Sequence, residues 1–374
     1  MSLSPSPIPS PERIPQKTQT QALRHLQLWQ VFLAVGSLAL LLVLVWPLLN
    51  QRQNGMLAGR PLSYPQTHLH TVVMSSQPGV VYLGTHYGIF TSTDGGYTWP
   101  QSQGDLHTNM ITALAISATH ANLLAALAVP TSGLGRQAGV YVSADAGKNW
   151  RFTVPEHLPT GAYPYTLVCG TGEQGRFYAF FSYAGWFETQ DLGKHWYAIT
   201  SGALANISTP SLLSDSSNPE HLVMGGDQGL FETYNDGQNW HQITAVQGAI
   251  VSLVATHPVA GAPRTVFCAT DQGLYRWQES SLPGQFSTLP VSALPTRLAV
   301  SADGTALYAL VGLDLWFSAD QGTHWVRRWH FARSDIIALV INPARSTELL
   351  AGFFAPGLVQ VSTDAGRTWR TLTA

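Results

Sequence analysis

The chain repeats an octet that carries a carboxylate, a hydroxyl and an indole at fixed offsets. It reads "STDGGYTW" from Ser92 to Trp99 and returns as "SADAGKNW", "TQDLGKHW", "TYNDGQNW", "SADQGTHW" and "STDAGRTW". An Asp beside a Ser or Thr is the raw material of proton transfer or nucleophile activation. The acids are Asp94, Asp145, Asp191, Asp320 and Asp364, while Asn235 holds that place in the fourth octet. Asn accepts hydrogen bonds as Asp does but cannot serve as a general acid. The exchange therefore points to turn-making rather than catalysis.

A second set of polar residues lies outside the octets. Asp227 and Asp271 occupy equivalent places in "GGDQGLF" and "ATDQGLY", before the third strand of their units. His86 with Tyr87 takes that place in the first unit and Tyr183 in the third, and Asp314 replaces the turn glycine in the sixth. Two readings stay open: a ring of Asp, His and Tyr forming a binding surface, or Asp-Gln-Gly as ordinary turn chemistry. His68 and His70 alternate on one strand and share a face. Two histidines without a third ligand do not make a metal site, so neither a metal nor a cofactor is expected.

The elements that must position these residues follow from the repeat. The octets end at Trp99, Trp150, Trp196, Trp240, Trp325 and Trp369, with separations of 51, 46, 44, 85 and 44 residues. The long gap is close to two short ones, which gives a period of about 45 residues and seven units. The unit without an octet is visible in "TVFCATDQGLYRW" (Thr265 to Trp277), which keeps its strands and drops its turn. Each unit opens on an apolar strand such as "ITALAIS", "IVSLVAT" or "IIALVIN", followed by a second such as "VVYLGT" or "ELLAGF". A third strand runs into the octet and a fourth begins at its tryptophan. Four short strands per unit make a propeller blade. The expected fold is all-β, a seven-bladed β-propeller of four-stranded antiparallel blades over residues 67–374.

Within the octet, Gly96, Gly147, Gly193, Gly237, Gly322 and Gly366 supply a backbone turn expected to need positive φ. The Asp accepts the turn's own amides, and the tryptophan packs between neighbouring blades. Gly357 lies one residue further from its octet than its counterparts, which predicts a bulge there. Repeat two carries an insertion, "VPTSGLGRQAGV", at the same turn as the Asp, His and Tyr set.

These octets resemble the Asp-box (BNR) repeats of sialidases, sortilin-type receptor domains, xyloglucan-degrading glycosidases and photosystem II assembly factors. The resemblance covers some 300 residues and implies a propeller whose boxes are structural turns opposite the usual binding face. It does not fix an activity. Sialidase-like chemistry would need three arginines clamping a substrate carboxylate. The "ERIP" that matches the first of them, Arg13 to Pro15, precedes an apolar run, and Arg136, Arg151, Arg176, Arg264 and Arg297 share no register.

Composition bounds the partners. Only 11% of residues are charged and the net charge is −2, which gives no footprint for nucleic acid. Cys169 and Cys268 are too few for a disulfide framework and read as buried free thiols. From Trp29 to Leu49 the sequence is free of charge and long enough to cross a bilayer as a helix. Arg13, Lys17 and Arg24 before it, against Arg52 and Arg60 after it, place the N-terminus in the cytoplasm. The expected organisation is a disordered cytoplasmic tail (1–28), an uncleaved membrane helix (29–49), a linker (50–66) and an extracytoplasmic propeller. The expected role is a non-catalytic protein- or glycan-binding or assembly module at the membrane. The alternative is a glycan-active enzyme using carboxylates on the box-free face.

Overall fold

The computed structural model describes residue 62 and most of residues 67–372. Residues 1–61, 63–66, 101–105, 132–136, 172–174, 258–263, 279–283, 286–293, 209, 216, 217, 356, 373 and 374 lie outside the described residues. The tail, the apolar run 29–49, nearly all of the linker and the middle of the repeat-two insertion therefore fall outside them. No helix among the described residues is long and apolar enough to cross a membrane.

The chain folds into seven antiparallel sheets, each from a contiguous segment and each in simple sequential order. Six have four strands; the first has three among the described residues, because the chain after Trp99 enters an undescribed segment. The unit without an octet still completes its sheet, through a short fourth strand at Gly284–Gln285. The seven first strands are Leu69–Met74, Asn109–Ile116, Pro164–Cys169, Ser211–Ser214, Ile250–Ala255, Arg297–Val300 and Ile336–Asn342. Each touches the first strand of the next blade, and the seventh touches the first, so they form a closed ring.

The second strands are the most apolar stretches, and five of them are buried from end to end, "VYLGT", "FYAFF", "LVMGG" and "LYALV" among them. Seven hydrophobic clusters result, one at each blade junction. The ring closes through one of them, where Leu69, Val72 and Leu83 of blade one pack on Leu350, Val359 and Leu372 of blade seven. Two backbone bonds seal the seam: Leu69 N–H donates to Phe354 O at 3.0 Å and Gly357 N–H to Thr67 O at 2.7 Å. Among the described residues no strand is exchanged between first and last blades, and the seam is held by packing and these bonds.

The bulge expected near Gly357 is not in the strand pairing. Phe353 pairs with Leu358 and the ladder runs on without a shift, so the extra residue is absorbed by the turn. Bulges recur elsewhere, at the second residue of the first strands of blades one, three, five and seven and at the fourth residue of that of blade two. They fall at His70, Thr112, Tyr165, Val251 and Ile337. A bulge bends the strand and re-aims the extra side chain, which suits the entrance of a ring.

Candidate functional site

The octets are turns, and their polar atoms are already engaged. In each one the Ser or Thr hydroxyl donates to the Asp or Asn oxygen at 2.7–3.0 Å. It also accepts the amide of the glycine at 2.7–3.1 Å. The same Asp oxygen takes the amide of the residue before the tryptophan, and the second oxygen takes that residue's side chain from Thr98, Asn149, His195, His324 and Thr368. Side-chain and backbone donors from Thr98 hold the Asp94 carboxyl down at about 2, and donors from Asn149 do the same for Asp145. Such groups are ionised acceptors at neutral pH and have no proton to give.

Every octet glycine has positive φ, from 77° to 89°. The preceding residue does too, although it is Ala146, Leu192, Asp236, Gln321 and Ala365 in five of the six, at φ 53–61°. Nothing in the sequence marks that second left-handed position except Gly95 in the first octet. The tryptophans span blades as expected: Trp240 Nε1 donates to Ile199 O at 2.7 Å and Trp196 Nε1 to Thr153 Oγ1 at 2.8 Å.

The opposite face carries the second set. Asp227 and Asp271 are exposed, but each ties its turn to the start of its own blade. Asp227 Oδ1 accepts from Ser208 N–H at 2.7 Å and Asp271 Oδ1 from Ala249 N–H at 2.8 Å. A backbone bond runs in parallel, from Asp227 N–H to Ser208 O and from Asp271 N–H to Ala249 O, at 3.1 Å each. His86 N–H makes the equivalent bond to His68 O, at 3.1 Å. In blade three that place belongs to Ser182, bonded to Tyr163 O, rather than to Tyr183. Tyr183 sits one step on, at φ 63°, with 73% of its surface exposed. Tyr87 is buried and is not a surface group. Asp314 lies 2.8 Å from His330 Nδ1 and 3.7 Å from Arg327 on the outer part of blade six, apart from the first strands.

Three histidines meet at the seam between blades one and seven. His70 Nε2 lies 3.1 Å from His86 Nδ1, and His68 stacks on Phe354 at a ring separation of 4.7 Å. Burial lowers His70 to about 3 and His86 to about 4, with the neighbouring imidazoles adding to the effect. The rings are neutral at physiological pH. No group of three or more His, Cys, Asp or Glu among the described residues is arranged to hold a metal ion.

Within the ring of first strands lies a cavity of about 240 Å³, lined by His70 and Thr71 of blade one, Ser252 of blade five, Arg297 of blade six and Ile337 to Val340 of blade seven. No local pattern marks this grouping, since its members come from four blades. Among the described residues the remaining arginines form no clamp. Arg176 is buried against Glu188 and Asp236 near the octet face, and Arg264 donates to Ser214 O at 2.7 Å. Both cysteines are free, and burial pushes both thiols up to about 12; Cys268 is buried as expected, while Cys169 is only half-buried.

No family model and no curated relative matches the sequence. Solved structures do match. A GH74 enzyme of Niastella koreensis superposes with a TM-score of 0.65 at 13% identity, covering 84% of this chain and 54% of that one. An ancestral GH74 enzyme gives 0.59 at 16%, covering 85% and 48%. YCF48 from Cyanidioschyzon merolae gives 0.58 at 15%, covering 82% and 98%. What they share with this chain is a propeller. The chain spans about half the length of the GH74 enzymes and nearly the whole of YCF48. At such identities the likeness carries the fold and not the activity.

Proposed function

We propose that this chain is a non-catalytic binding module, an Asp-box propeller held at a membrane by residues 29–49 with its box-free face turned to a protein or glycan partner outside the cytoplasm. The observation that carries the reading is the engagement of Asp227 and Asp271. Each gives a carboxylate oxygen to an amide of its own blade, at 2.7 and 2.8 Å, which makes them fasteners of the turns. The same face exposes two aromatic rings of blade three, Tyr165 at 53% and Tyr183 at 73%. Tyrosine offers large contact area at low entropic cost, and it is enriched where proteins and sugars are bound.

The test pairs binding with turnover. In native membranes, a partner crosslinked to the wild-type chain is expected to be lost in Tyr165→Ser and Tyr183→Ser and kept when the octet residue Lys194 is changed to Ser. Alkaline extraction is expected to leave the full chain in the membrane fraction and to release a chain lacking residues 29–49. A second reading, a glycan-active enzyme, draws support from the fold shared with the GH74 enzymes. A panel of glycosides decides it: hydrolysis by the wild type that disappears in Asp227→Asn or Asp271→Asn would replace the binding-module reading.

A further inference from the structure

Across all seven first strands, the only side chain with a permanent charge is Arg297. The other strands supply aliphatic residues, small polar ones, one histidine and one tyrosine. A guanidinium half-buried in the ring favours a counter-charge. Its Nε–H donates to Ile336 O at 3.3 Å, which joins blade six to blade seven. Among the described residues no carboxylate pairs with it, and no protein acceptor lies on its two terminal nitrogens. Burial lowers its proton affinity, with no compensating charge acting on it. The fork of donors borders the 240 Å³ cavity.

The rest of that wall is suited to a small anion and to nothing larger in charge. Ser252 Oγ accepts from Leu298 N–H at 2.9 Å, so its own hydroxyl proton is available to a ligand. His70 brings an uncharged ring, because its basicity is suppressed. Thr71 adds a polar group, and Ile337 to Val340 close the far side. The net charge of this lining is one positive unit.

We propose that the central channel is a binding site for an oxyanion, a carboxylate or phosphate group held on the fork of Arg297 with Ser252 as a neutral donor. Guanidinium pairs bidentately with either group. The site begins at the box-free end of the first strands, and it rests on Arg297 and Ser252 rather than on the tyrosines of blade three.

Calorimetric titration and thermal melting of the purified full chain test this, using acetate, malonate and inorganic phosphate, with chloride at matched ionic strength as control. At least one oxyanion is expected to bind saturably and raise Tm where chloride does not. Phosphate against the carboxylates identifies which group the channel takes. Arg297→Gln is expected to lose at least tenfold in affinity. Arg297→Lys should lose less, since a point charge replaces the fork. No saturable response from the wild type, or an equal response from Arg297→Gln, overturns the proposal. If Arg297→Gln does not fold, unchanged affinity in both Arg297→Lys and Ser252→Ala overturns it equally.

Discussion

His70 and His86 meet nitrogen to nitrogen at 3.1 Å across the entrance of blade one, in surroundings that keep both rings neutral. One donates and the other accepts, and protonating either ring destroys the pair. Their folded-state values, about 3 and about 4, lie well below the ordinary value of 6.5. The unfolded chain therefore takes up protons that the folded chain refuses as pH falls below about 6.5. Stability is full above that pH and declines toward pH 4, by up to about 1.4 kcal/mol per pH unit for each histidine. Urea denaturation at pH 7, 6, 5 and 4 is expected to show this decline. His86→Gln should flatten it by about one histidine's share, since the His86 ring carries no charge above about pH 4. His257, lowered by burial and by Arg264, adds a smaller part of the slope. An unchanged slope in His86→Gln would refute the assignment.

Asp227 is expected to behave as a fastener. Asp227→Asn keeps an acceptor for Ser208 N–H and should unfold within about 0.5 kcal/mol of the wild type, while Asp227→Ala loses about 1 kcal/mol. The parallel bond from Asp227 N–H to Ser208 O survives both changes, which limits the loss. Chemical denaturation curves with unchanged slopes would measure it. A destabilised Asn variant would show that charge, and not acceptance, is what the turn needs.

The octet turn stores strain at the residue before its glycine. Ala365 is held at φ 61° by the bonds that Ser362 and Asp364 make around it. An L-residue there costs roughly 1 kcal/mol that glycine does not. Ala365→Gly is expected to raise stability by somewhat less than that, because glycine also loosens the unfolded chain. Ser362→Ala should do the opposite and cost about 1–2 kcal/mol, since it removes the donor to Asp364 and the acceptor of the Gly366 amide together. Thermal melts of the two variants, moving in opposite directions, would separate strain from hydrogen bonding.

The octets made the architecture legible because each one marks the same corner of the same unit. Their spacing counts blades even where the fifth has lost its octet, and Trp196 and Trp240 do reach the neighbouring blade as their size suggests. The site was less legible. Equivalence along the chain identified Asp227 and Asp271 correctly, but a longer turn in blade three shifts the matching place from Tyr183 to Ser182. Burial of Tyr87 depends on how its turn folds back, which a two-residue motif does not encode. His68 and His70 are visible as a pair two residues apart, although His68 lies just before the strand that begins at Leu69; His86 joins them through the bulge and the hairpin of blade one. Arg297 and Ser252 come together only because the ring closes, and no local pattern carries that information.

Arg176 and Glu188 form a deeply buried ion pair, at 3.0 Å with side-chain exposures of 6% and 4%. Asp236, Tyr178 and the Pro219 carbonyl complete the guanidinium's partners, so the group bridges blades three and four. Burial alone would raise the Glu188 carboxyl, and it stays raised despite Arg176. Removing the cation leaves an unanswered carboxylate in the core, so Arg176→Met is expected to lose about 3 kcal/mol or more. Its Glu188 would then favour the protonated form further. Measured against the wild type, which carries the same histidine slope, the variant's stability should be lost as pH rises through that raised value and partly regained on acidification. Arg176→Met with Glu188→Gln removes both charges and should recover most of the loss, leaving only the half-exposed Asp236 without its partner. Denaturation of the two variants at pH 7.5 and pH 6 provides the comparison. If the double variant is no more stable than the single one, the pair's packing rather than its charge holds the two blades together.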